Sequence, residues 1–329
     1  MTRAAVNSPT VAGLVNSSPV NFGAFGVALF FIISGFVIPF SFQSYGRLDF
    51  FVGRFFRIYP TYWIGLTASL TVLAIGGYAL DAPFPHSHSQ LLYGYLIGAR
   101  DVAWVKSVDG VVWTIEIELK FYLICGLIAP WLREGSLKVF LVPVALLAIS
   151  CILGATLPTA QTTTFFFVAL SAPYLIFMFI GVAFNYLHRG KITVLAAAVA
   201  APATLLMYWM AHQFGFSLGN PFVLTYVVAV AVFTLTMRFS AIVGAIPTIN
   251  FWADISYPLY VVHGLTGYVL IEVMITFGFG AWPAVVLAFV AVVALATTLH
   301  MLIEMPSREM GRKIAASMRN LPSFWESPS

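Results

Sequence analysis

The sequence predicts an all-α polytopic membrane protein, a bundle of about nine transmembrane helices. Three observations carry that prediction. The chain is 60% hydrophobic and only 9% charged over 329 residues, whereas a soluble domain carries about 25% charged residues and needs them at its surface. Its apolar residues gather into runs of the length a bilayer demands, about 20 residues each. Its basic residues fall mostly on alternate loops, the asymmetry expected of cytoplasmic loops between spans.

The expected spans run roughly over 24–42, 58–80, 108–130, 137–156, 164–187, 192–212, 221–237, 249–276 and 282–304. Connections are short, so the bundle is compact. The exception is 81–107, which carries Asp81, His86, His88, Arg100, Asp101 and Lys106. The whole of 1–329 reads as a single membrane domain, with a loop-like N-terminus over 1–20 and a tail over 307–329. The first twenty residues are small and polar, too weakly apolar to span, and show no cleavable signal pattern.

Charge orients the bundle. The side holding the 43–57 loop receives Arg47, Arg54, Arg57, Arg133, Lys138, Arg189, Lys191, Arg238, Arg308, Arg312, Lys313 and Arg319, twelve of the sixteen basic residues. The opposite side receives Arg3, Arg100 and Lys106, and Lys120 lies within a span. The first side is therefore expected to be cytoplasmic, with the C-terminus inside and Met1 outside. One further span before residue 20 would bring both termini inside. The net charge of +4 belongs to this topology and implies no nucleic-acid partner. Cys125 and Cys151 sit in apolar runs and read as small buried hydrophobes. The sequence shows no metal-ligand spacing and no Gly-rich phosphate loop, so no metal is expected.

Polar residues stand out against this background. Ser34-Gly35 interrupts GVALFFIISGFVI (26–38); small residues at such a place let helices approach closely. In RFFRIYP (54–60), Arg54 and Arg57 are spaced i, i+3 and share a helix face, with Pro60 fitting the first turn of a helix. Two guanidiniums at a cytoplasmic mouth suit phosphates through paired hydrogen bonds, or serve as anchors beside anionic lipid. VWTIEIELKFY (112–122) puts Glu116, Glu118 and Lys120 inside a span, where ionisable groups are costly and mark function or pairing. Glu116 and Lys120 are i, i+4 and can pair. Glu118 points about 200° away from Glu116 at 3.6 residues per turn, and needs another partner. In DISYPLYVVH (254–263), Ser256, Tyr260 and His263 form one polar stripe, either lining a polar cavity or bonding a neighbouring helix. His300 and Glu304, also i, i+4, read as a supporting or interfacial pair. Counted inward from the helix ends, Ser34, Glu118 and His263 reach similar depths near the midplane of a core about 30 Å thick.

Taken in order, these motifs resemble acyltransferase family 3, bacterial integral membrane enzymes that O-acylate cell-surface sugars. FFIISGF (30–36) is similar to the family's FFxxSGF, RFFRIYP to its RxxRIxP, and WTIEIELKFY (113–122) to its WSLxxExxFY. ISYPLYVVH (255–263) resembles its ISYxLYLxH, and IEMP (303–306) its terminal IExP. The resemblance implies a ten-helix bundle in the bacterial inner membrane that takes acyl-coenzyme A as donor. The acyl group, typically acetyl, would pass to a hydroxyl of a glycan or glycolipid. It implies that Arg54 and Arg57, with Tyr59 beside them, contact donor phosphates. It makes Glu118, Ser34 and His263 the catalytic candidates, and Trp113, Ser256, Tyr257 and Tyr260 the substrate-binding ones. Thr114 replaces the usual Ser, and Glu116 and Lys120 are extra charges. The family's first helix carries an Arg and a catalytic His. The stretch before Asn21 has neither a spanning helix nor a His, so the chain is expected to lack that helix and to be impaired in catalysis. His263 is then the best-placed imidazole, as a substitute base or as a group positioning the acceptor. Two other classes remain open at this point: a transporter of a lipid-linked or polar solute, and a non-catalytic partner subunit.

Overall fold

The computed structural model describes residues 20–44, 46–98, 107–156, 164–215 and 222–319, and every regular element among them is helical. The expected N-terminal loop lies outside these residues except for Val20, as do Arg100, Asp101, Lys106 and the tail past residue 319. Each expected apolar run contains a long helix. These are α1 (Phe22–Ser44), α2 (Arg47–Ala79), α3 (Val112–Leu127), α4 (Leu141–Thr156), α5 (Thr164–His188), α6 (Val194–Phe214), α7 (Val223–Arg238), α8 (Pro247–Thr276) and α9 (Ala281–Leu299). A tenth, α10 (Met305–Arg319), follows.

Among the described residues seven helices are long and apolar enough to cross a membrane, fewer than the nine expected. The difference lies in α3 and α7, which have 16 residues each, or about 24 Å at helical rise against a core of about 30 Å; α4, of the same length, is continued by the 3₁₀ turn Leu137–Phe140 into a span of 20 residues. The start of α3 is set by Asp109, whose Oδ1 accepts the amides of Val111 and Val112 at 3.1 and 3.0 Å. A second short helix, Ala129–Glu134, follows its end and stops at Gly135, which takes the left-handed conformation at φ 78°. That is a helix ending glycine supplies without steric cost.

The described residues form two compact units. The larger holds α1 and α3 through α7, with α5 at its centre against α1, α4 and α6. From Ser171 to Phe184 nearly every residue of α5 is buried. The α1–α5 crossing is close: a Cβ added at Gly35 would lie 3.1 Å from the Gly181 Cα and would collide with the Met178 carbonyl. The expected packing role of this Ser-Gly pair is thus filled by its glycine. Asn185 Nδ2 donates to the Phe36 carbonyl across the same crossing at 2.9 Å. At the basic end of the unit, Arg133 Nε donates to the Phe42 carbonyl at 2.9 Å. Arg189 bonds the Leu132 and Arg133 carbonyls at 3.0 and 3.1 Å. Cations here satisfy carbonyls that helix ends leave without intrahelical partners.

The other unit holds α2 and α8 through α10. Gly65 and Gly76 of α2 face Val261 and Val269 of α8. Thr266 Oγ1 donates to Ser69 Oγ at 3.0 Å, and the Tyr257 hydroxyl donates to the Ile58 carbonyl at 2.9 Å. Between α9 and α10 the chain makes one π turn, His300–Glu304. The segment expected as a tail from residue 307 is therefore helical as far as Arg319, and α10 packs on α2 with Gly311 against the Phe56 ring. The turn is held by the pair anticipated from i, i+4 spacing: His300 Nδ1 lies 2.8 Å from Glu304 Oε2, and the buried Glu304 also stands 3.7 Å from Arg308. Glu304→Ala leaves these donors without their acceptor. It is expected to cost on the order of 2 kcal/mol, seen as a lower unfolding temperature of the detergent-solubilised chain; an unchanged temperature would show that the pair carries no stability.

Candidate functional site

The site begins with two apolar helices that each carry one polar interruption. Residues 26–38 of α1 are apolar but for Gly26, Ser34 and Gly35. Because Gly35 draws α1 onto α5, Ser34 is turned inward and only 7% exposed. On α3, Glu118 is equally buried at 7%. Ser34 Oγ donates to Glu118 Oε1 at 3.0 Å. The Tyr122 hydroxyl, one turn further along α3, donates to the same oxygen at 2.6 Å. The partner that Glu118 needed is thus a pair of hydroxyls, from α1 and from its own helix. Hydrogen bonds to a charged acceptor are short and strong, and a buried carboxylate depends on them.

The other interruptions of α3 diverge as the helical period requires. Lys120 Nζ donates to Ser171 Oγ of α5 at 2.8 Å. Glu116 is buried. Thr114 Oγ1 bonds the Val111 carbonyl at 3.0 Å, so the residue that departs from the family's Ser serves the start of the helix. Trp113 is half-buried, with Phe31 at 6.4 Å and Tyr174 at 5.3 Å between ring centroids.

The second unit holds the remaining candidates. Arg54 and Arg57 are half-buried on α2, and the Arg54 guanidinium stands 5.4 Å from the Phe50 ring centroid. Tyr59 stacks on Phe55 at 4.9 Å. On α8, Ser256 is exposed and donates to the Ala253 carbonyl at 2.7 Å. His263 is exposed, its Nδ1 2.8 Å from the Tyr260 carbonyl and its ring 5.5 Å from that of Tyr260. Tyr257 is engaged with Ile58 as described. The structure therefore joins Ser34 to Glu118 in one unit and gathers Ser256, Tyr260 and His263 on one helix of the other.

Sequence reasoning did not single out Tyr122 for the site, although its spacing of four from Glu118 announces it. It also passed over Tyr174 of α5 and His212 of α6. These are lone polar aromatics in apolar spans, and only the packing shows that they share a cluster.

Fold and site together define a multi-pass helical membrane protein with a carboxylate held by two hydroxyls inside its larger unit. The chain belongs to acyltransferase family 3: the family model, described as an acyltransferase domain, matches residues 3–301. It is also similar to Nodulation protein 10 of Rhizobium leguminosarum bv. viciae, at 26% identity over 328 residues covering 90% of this chain and 85% of that protein. No solved structure matches.

Proposed function

We propose that the chain is an O-acyltransferase of the bacterial inner membrane. It takes an acyl group, acetyl in the simplest case, from acyl-coenzyme A and delivers it to a hydroxyl of a surface glycan or glycolipid. The observation that supports this reading is the Glu118 carboxylate, buried within a membrane-embedded acyltransferase and bonded by Ser34 and Tyr122. A sugar hydroxyl is a poor nucleophile until its proton is accepted. Glu118 supplies an acceptor for that proton. As the hydroxyl oxygen bonds to the thioester carbonyl carbon, negative charge grows on the carbonyl oxygen; the O–H groups of Ser34 and Tyr122, which donate to Glu118 beforehand, are the kind of donor that can turn to this charge once Glu118 holds the proton. Collapse breaks the carbon–sulfur bond, and the proton held by the carboxylate passes to the departing thiolate.

Arg54 and Arg57, with Tyr59, are assigned to the donor phosphates on the cytoplasmic side. In the larger unit Trp113 is assigned to the acceptor; in the other unit Ser256, Tyr260 and His263 of α8 are acceptor candidates in their own right, His263 as a positioning group. Tyr257, bonded to the Ile58 carbonyl, supports them by tying α8 to α2. The C-terminus lies in the cytoplasm in this arrangement.

The test is transfer of label from radioactive acetyl-coenzyme A to surface glycan in membranes carrying the chain. Label appears in the glycan fraction if the reading holds; label released only as free acetate removes the glycan acceptor. Arg57→Ala is expected to weaken acetyl-coenzyme A binding about tenfold, the effect of losing one charge-assisted contact. Unchanged affinity would return Arg57 to a lipid-facing anchor.

A further inference from the structure

Beside the Ser34–Glu118 pair, a cluster of polar-edged rings occupies one end of the larger unit. Phe31 lies one turn from Ser34 toward the start of α1, and Trp113 five residues from Glu118 toward the start of α3. Tyr174 touches both, at 5.8 and 5.3 Å between centroids. Beyond it stand His212, 5.7 Å from Tyr174, and Tyr208, 4.8 Å from His212. Tyr208 stacks in turn on Tyr226 at 4.6 Å and 15°. Tyr226 adjoins Thr225, whose hydroxyl accepts the Asn21 amide at the first turn of α1. The cluster thus extends from the carboxylate pair toward the end of the unit away from Arg133 and Arg189.

Simple packing does not call for such a group. Elsewhere in this unit the core is largely Ile32, Phe42, Phe179, Ile180 and their like, all fully buried. Phenols and an imidazole at membrane depth each need hydrogen-bond partners, and a buried ring without polar atoms would pack as well. Burial is also uneven. Tyr208, Tyr226 and His212 are buried, whereas Trp113 and Tyr174 keep part of their surface free. The group therefore has two half-buried rings, Trp113 and Tyr174, with polar-edged rings buried behind them. A pyranose ring matches this chemistry: its C–H faces lie on aromatic faces, and its hydroxyls bond phenol and imidazole edges. An acyl tail would gain nothing from the polar edges.

We infer that Trp113 and Tyr174, backed by His212 and Tyr208, form the saccharide subsite that presents the acceptor hydroxyl to Glu118. This deepens the acyltransferase reading above and rests on it for the identity of the acceptor. Tyr174 is the residue on which the subsite turns, since its ring joins Trp113 to His212.

The experiment is direct binding, which needs no acyl transfer. The full chain in lipid nanodiscs is titrated calorimetrically with chitotetraose and with maltoheptaose as saccharide probes, and separately with acetyl-coenzyme A. At least one saccharide is expected to bind. Tyr174→Phe, which keeps the ring, should bind within about threefold of the parent. Tyr174→Ala should bind at least tenfold more weakly, with acetyl-coenzyme A affinity unchanged. If Tyr174→Ala does not fold, Tyr174→Leu, which keeps apolar volume without a ring face, takes its place. The inference is overturned if neither saccharide binds, if the ring-less variant binds like the parent, or if saccharide and acetyl-coenzyme A affinities fall together. Saccharide binding that depends on Tyr174, without any label transfer to glycan, would leave the subsite standing and remove the acyltransferase reading instead.

Discussion

Glu118→Gln is expected to lower acyl transfer by about a hundredfold to a thousandfold while the protein still folds and inserts. General-base catalysis contributes roughly 10²–10⁴ in rate, and glutamine removes basicity while keeping nearly everything else. Its volume matches that of Glu118, so the packing of α3 survives. Its amide oxygen can still accept from Ser34 and Tyr122, which now donate to Oε1 at 3.0 and 2.6 Å. A purely structural carboxylate would therefore tolerate the change. Initial rates of label transfer from acetyl-coenzyme A, normalised to folded protein in the membrane, distinguish the two outcomes. Activity within threefold of the parent would show that the carboxylate only ties α1 to α3. Tyr122→Phe makes the matching measurement for one donor: loss of a hydroxyl that stabilises developing charge should reduce the rate about tenfold to a hundredfold, with little change in donor affinity.

Much of this arrangement could be read from the residues. Apolar length alone located the helices, because a bilayer leaves helices and closed barrels as the only ways to satisfy a spanning backbone. Helical period separated Glu118 from Glu116 and predicted that it must find a partner of its own, which Ser34 and Tyr122 provide. The pairing of His300 with Glu304 followed from the same rule. What the sequence concealed depended on boundaries and on tertiary contact. Hydropathy continues through residues 108–130, but the Asp109 carboxylate sets where α3 begins, and Gly135 stops the short helix that follows it. Charged residues after 307 suggested a tail, whereas Gly311 allows a helix there to lie against Phe56. Tyr174 and His212 stand 38 residues apart on different helices, and nothing short of their packing reveals that the rings meet.

The crossing of α1 and α5 should be the least forgiving place in the larger unit, and Gly35→Leu is expected to abolish folded protein. A Cβ at Gly35 would collide with the Met178 carbonyl, and one at Gly181 would collide with the Ile32 carbonyl and lie 2.6 Å from the Phe36 nitrogen. The obstacles are backbone atoms, which cannot rotate aside as a side chain can. Close backbone approach is how helices gain contact within a bilayer, where burial of apolar surface drives little association. Even Gly181→Ala must therefore push the helices apart, at a cost of roughly 1–3 kcal/mol. The same displacement would stretch the Asn185–Phe36 hydrogen bond, now 2.9 Å, and would move Ser34, next to Gly35, away from Glu118. Gly181→Ala should consequently lose more transfer activity than its loss of folded protein explains, whereas Gly35→Leu should give no monodisperse peak in size-exclusion chromatography. Gly26→Ala is the control, since a Cβ there meets nothing within 4 Å. Were Gly35→Leu to elute as the parent does, the close crossing could not be what seats Ser34 against the carboxylate, and the site would have to be held by α3 alone.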